Sequence, residues 1–85
     1  MGKAGQALKK VLESYGISQY SLASKLGVGG ASVHRWVHEI SDPNAERVYE
    51  ITEALKQLNP SAAKEFVRLY LGEAVEDGDT DNPEA

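Results

Sequence analysis

Apolar residues recur along this chain with the 3.6-residue beat of helices, and no stretch shows the alternation of a strand. Leu8, Val11, Leu12 and Tyr15 stand at i, i+3, i+4 and i+7, and Gly16 follows where a helix stop belongs. Ser18 suits the N-cap of a short second helix whose inward stripe is Leu22, Ala23 and Leu26, closed by Gly27. A third helix is predicted from about Gly30 to Ile40, with Val33, Trp36, Val37 and Ile40 inside one arc of roughly 100°. Beyond the turn Ser41-Asp42-Pro43-Asn44, the spacing of Val48, Ile51, Leu55 and Leu58 predicts a fourth helix. Asn59 as N-cap and Pro60 at the first helical position open a fifth, with Phe66, Leu69 and Tyr70 inward and Gly72 as its stop.

Between the second and third helices the link is only Gly27-Val28-Gly29, which leaves room for nothing but a sharp reversal. Gly27 can take the left-handed conformation that such a turn demands. Ala23 supplies the small residue where the two helices cross, and Leu26, Val28, Val33 and Trp36 fill the space beneath. Two helices locked this way form a helix-turn-helix, in which the first braces across a DNA backbone and the second enters the major groove.

Composition narrows the picture. A chain of 85 residues suits one small domain with a thin core, assigned here to residues 1–72. The absence of cysteine excludes disulfides, thiolate zinc sites and a cysteine nucleophile. No apolar run approaches the roughly 20 residues of a membrane span, and MGKAGQALKK lacks the apolar centre of a signal peptide, so a cytoplasmic protein is expected. The net charge of −4 argues against nucleic acid only until the acids are located. Residues 73–85 hold six acids and no base, which leaves 13 − 6 = 7 acids against 9 bases in residues 1–72, a net of +2. A mildly basic body makes DNA binding a matter of where groups are placed, not of bulk charge. The acidic segment 73–85 is expected to be a flexible, disordered tail.

The run SQYSLASKLGVGGASVHRWVHEISDPNAERVYEITEAL, residues 18–55, resembles the helix-turn-helix of the phage repressor and Cro family, also called the XRE family. The matching features are Gln19, Leu22-Ala23, Leu26-Gly27-Val28, Val33, Trp36, Pro43 and Ile51 to Leu55. The resemblance implies an all-α, five-helix domain like that of lambda repressor, in a bacterial or phage protein of the nucleoid. It also implies a homodimer that binds double-stranded operator DNA and regulates transcription.

On the third helix, Ala31, His34, Arg35 and His38 point away from the apolar arc and, with Gly30 at its start, are the candidate base-contacting residues. Arg35 is the strongest reader, because its fork matches guanine O6 and N7. Gln19, Ser32 and Asn44 are the candidate phosphate contacts, Gln19 by the family position it occupies. Asn44 also suits an N-cap, and the two roles are compatible. Lys9, Lys10, Lys25 and Arg47 are candidates for attraction that ignores sequence. Gly29 and Gly30 either let the backbone come close to DNA or are merely tolerated at a helix start.

Other chemistries fit less well. His34 and His38 stand one helical turn apart, as in two-histidine metal sites, but Arg35 beside them disfavours a cation and no third ligand is evident. No metal, cofactor or catalytic residues are therefore assigned, and an enzyme is not expected. The stronger rival is a protein-interaction module on a helix-turn-helix scaffold, such as an antitoxin or accessory subunit, favoured by the weak positive charge and the short side chains of Gly29 to Ser32. Homodimerisation is expected through the fifth helix, where Val67, Tyr70 and Leu71 extend the apolar surface.

Overall fold

The computed structural model describes the backbone of residues 2–79 and the side chains of residues 2–72. It is all-helical: α1 (Lys3–Tyr15), α2 (Gln19–Leu26), α3 (Gly30–Val37), α4 (Ala45–Leu58) and α5 (Pro60–Asp79). Three helix starts use the side chains that the sequence offers. Ser18 Oγ accepts the Ser21 N–H at 2.9 Å, Asn44 Oδ1 accepts the Arg47 N–H at 2.8 Å, and Asn59 Oδ1 accepts the Ser61 N–H at 3.0 Å. Each satisfies an amide that has no partner inside its own helix.

The stops of α1, α2 and α3 share one geometry. At the end of α1, Gly16 adopts φ 63° and the Ile17 N–H reaches back to the Leu12 carbonyl at 2.9 Å. At the end of α2, Gly27 adopts φ 76° and the Val28 N–H reaches the Ala23 carbonyl at 3.1 Å. The end of α3 repeats this with a residue that is not glycine: Glu39 adopts φ 59°, its N–H meets the Trp36 carbonyl at 3.1 Å, and the Ile40 N–H meets the Arg35 carbonyl at 2.9 Å. A left-handed residue followed by a six-to-one backbone bond is the Schellman stop. The third helix therefore ends at Val37 rather than near Ile40. Ile40, expected in the core, lies past the turn and is 66% exposed.

Phe66, Leu8, Leu22, Ile51, Leu55, Val11 and Val33 are fully buried at the centre. Burial of a side chain of this size contributes about 1.5–3 kcal/mol. Around this centre α5 packs on α1 and α4, α2 packs on α3 and α4, and α1 packs on α3. Two expectations about the edges of the core need correction. Tyr15, the last residue of α1, is exposed, because the inward stripe runs out where Gly16 turns the chain. Gly72 is not a stop, since α5 continues through it as helix to Asp79. The expected flexible tail covers residues 73–85, of which 80–85 lie outside the described residues.

The end of α3 is seated on the start of α1. Gly5 is buried, and a Cβ there would collide with the Trp36 backbone carbonyl, whose carbon it would approach to 3.3 Å. Gln6 Nε2 donates to Glu39 Oε1 at 3.5 Å, and the Asp42 carboxylate lies against Gly2 at the N-terminus of α1, where negative charge is favoured. On the other side the Arg47 guanidinium of α4 stands 5.9 Å from the Trp36 ring centre.

Two substitutions at these points have calculable signs. Gly5→Ala should destabilise by about 1–3 kcal/mol, because the obstacle is backbone that cannot swing aside. At the stops, Gly27→Ala should cost about 1–2 kcal/mol, the strain of a left-handed residue with a Cβ. Glu39→Gly relieves that same strain and should raise the melting temperature. Thermal unfolding followed by circular dichroism measures all three, and a Glu39→Gly protein that melts lower would contradict the account of the third stop.

Candidate nucleic-acid interface

Eight residues of α3 divide cleanly into two faces. Val33, Trp36 and Val37 are buried, while Gly30, Ala31, His34 and Arg35 are exposed and Ser32 is half-buried. The division follows from turning 100° per residue against a core that takes only one arc. Among the described residues the Arg35 side chain makes no hydrogen bond or ion pair, so its guanidinium fork is available. The His34 and His38 rings lie against one another, centres 4.1 Å apart and planes tilted by 42°. His38 itself is the C-cap of α3 and not a residue of its body, so its imidazole leaves the helix at the turn.

That turn brings His38 to a second group of predicted residues. An open groove of about 460 Å³ runs between the end of α1 and the start of α2, and its walls include Lys9, Glu13, Ser18, Gln19 and His38. Gln19 and His38, 19 positions apart in sequence, thus share one concavity with the ammonium of Lys9. Ser18 is held there by its own capping bond, which leaves Gln19 as the neutral donor at the α2 start.

Asn44 is exposed at the start of α4, with its carbonyl oxygen committed to the Arg47 N–H. Its amide NH2 remains available for an acceptor, so capping and phosphate contact draw on different atoms of one side chain. Of the four other bases named from sequence, one is engaged elsewhere and one lies away from this groove. Arg47 is tied to Glu50 at 2.8 Å and to the Trp36 ring, and Lys25 lies in the cleft between α2 and α4 beside Glu50 and Glu53. Sequence reasoning passed over Tyr20, which follows Gln19 in the first turn of α2 and is 80% exposed. An aromatic residue off the Leu22-Ala23-Leu26 stripe was the available signal.

The glycines at the start of α3 are not demanded by the fold. Gly29 caps the helix with φ −73° and ψ 154° and offers no side chain, and a Cβ at either Gly29 or Gly30 would meet nothing within 4 Å. The Cα side of both glycines at the start of α3 therefore borders open space. Among the described residues no group of three or more potential metal ligands occurs, and no helix is long and apolar enough to cross a membrane.

Two short helices joined by a glycine-centred reversal, the second with one face buried and the other exposed, have the form of the helix-turn-helix class of DNA-binding proteins. The model of the helix-turn-helix family matches residues 8–61, more than half of the chain, and the chain belongs to that family, in the phage repressor and Cro branch that residues 18–55 resemble. Neither a curated protein nor a solved structure matches it. The family is one of DNA-binding regulators that are not enzymes.

With the space at Gly30 empty, Gly30→Ala should stabilise the free protein by about 0.4–1 kcal/mol by restricting the unfolded chain. Urea unfolding with an unchanged slope measures it. A loss of stability would mean that the start of α3 is held by contacts other than those described.

Proposed function

We propose that this protein is a small transcriptional regulator of the repressor or Cro type, which sets α3 in the major groove of double-stranded DNA. The observation that carries this reading is Arg35: a guanidinium unpaired among the described residues, on the exposed face of α3 and on the same side as Ala31 and His34. Ala31 fits against a thymine methyl, and His34 and His38 offer donors to base edges. Gln19, Ser32 and the Asn44 amide hold phosphates and fix the register, while Lys9 adds attraction that every sequence shares. The open space at Gly30 lets the α3 backbone come close to the groove. Two copies acting as a homodimer place two α3 helices on half-sites about one helical turn apart.

A second reading is supported by one observation, the absence of any side chain longer than serine from Gly29 to Ser32. On that reading the face of α3 docks a protein partner and DNA binding is weak or lost. Base readout separates the two.

Selection of bound duplexes from a random pool, followed by titration at several salt concentrations, is the direct test. Arg35→Ala should relax preference at one position and cost about 1–3 kcal/mol. Lys9→Ala should weaken all sequences alike and lower the salt slope by about 1. Gly30→Ala, stable on its own account, should bind less tightly. A pool from which nothing is enriched would favour the protein-docking reading.

A further inference from the structure

On the far side of the molecule α4 and α5 leave a groove of about 470 Å³ between them. Its floor is apolar, made by Pro60, Ala63 and Val67 with Thr52 at one end. Its rim is cationic, with Lys56, Lys64 and Arg68 around the opening. Val67 is 40% exposed, and Leu71, one helical turn further along α5, is 46% exposed, so the apolar strip continues beyond the groove. Stems of long cationic side chains covering an apolar floor are an ordinary surface arrangement. Here, however, the floor is left open between them.

The two lysines are weakly committed. Lys56 lies 3.6 Å from Glu53, and Arg68 pairs with Glu65 on the preceding turn, its hydrogen bond holding that carboxyl below its ordinary value. Exposed pairs of this kind contribute little and exchange readily. Lys64 has no ion pair among the described residues. A partner that suits the groove therefore brings apolar residues for the floor and carboxylates for the rim.

The chain itself contains such a segment. Residues 73–85 carry six acids and no base, and Leu71, Ala74 and Val75 stand at i, i+3 and i+4. We propose that this groove receives the acidic C-terminal segment of a second copy of the chain, so that two copies associate reciprocally, each α5 end lying in the other's α4–α5 groove. Within one chain α5 carries most of that segment away from the groove. Four of the six acids (Glu73, Glu76, Asp77 and Asp79) lie on α5 itself, which runs on as helix and carries Asp79 about 18 Å along the axis from Val67. Reciprocal exchange is isologous, so one contact is made twice. The proposal rests on the homodimer reading and adds to it the contacts that hold the dimer. It leaves α3 free, since α5 packs on α1 and α4.

Sedimentation velocity of the full chain without DNA, over a concentration series at about 0.05 and 0.5 M salt, tests it. The expected result is a monomer–dimer equilibrium whose dissociation constant rises about tenfold or more at the higher salt. The double charge reversal Lys56→Glu with Lys64→Glu, at two exposed positions outside the core, should give monomers whose circular dichroism is unchanged. Adding Glu73→Lys and Glu76→Lys to that variant should restore the dimer. Truncation after Gly72 should also give monomers. A dimer indifferent to salt, charge reversal and truncation would overturn the proposal and leave the homodimer reading standing. A monomer at every concentration would overturn both, and neither result touches the DNA reading, which Arg35→Ala tests separately.

Discussion

Everything that α3 can present depends on backbone lying directly against backbone. Gly5 of α1 sits beneath the Trp36 carbonyl with no room for a methyl group, so the last turn of α3 rests on the first turn of α1. Close approach of this kind leaves the two helices a single relative position, because interiors pack at crystal density and have no slack to absorb a shift. The Trp36 ring fixes the opposite side, buried beneath the Arg47 guanidinium of α4. The tilt of α3, and with it the direction of Arg35, is set from both flanks.

The same contacts decide which cations are free. Arg47 and Arg35 are both arginines near α3, yet Arg47 is held by Glu50 and the tryptophan face, whereas Arg35 faces outward with no side-chain partner among the described residues. Turning the chain at Glu39 then swings His38 off the helix and into the groove with Gln19 and Lys9. Potential phosphate donors from α1, α2 and the end of α3 converge there, although the body of the protein is only mildly basic. Convergence of a few groups in a concavity can replace bulk charge, because a local potential depends on distance and shape as well as on the total.

Helix α5 joins the two sides of the molecule. Its inner face closes the core through Ala62, Ala63 and Phe66, and Tyr70 stacks on Phe66 with ring centres 6.2 Å apart. Its outer face leaves Val67 and Leu71 in solvent. A small core has little stability to spare, so apolar area left exposed on its longest helix is an expense that association would recover. For a regulator whose two α3 helices act together, the contact that pairs the copies also sets how far apart those helices stand.

By itself the sequence determined the helices, their order and most of their limits. Serine and asparagine caps, the proline at α5 and the glycines at 16 and 27 act locally, through bonds to amides a few residues away, so a linear reading finds them. It also separated the faces of α3, because burial there follows the helical period. Only the tertiary structure decided the third stop. Glu39 carries no signal for a left-handed turn, and the turn persists because Gly5, Gln6 and Trp36 receive it, so Ile40 left the core against its period. Gly72 misled in the opposite direction: a glycine in helical sequence stops a helix only when its backbone turns left-handed, and in α5 it does not. Which arginine is free and which residues share a groove are likewise outcomes of packing between distant segments, for which no local rule exists.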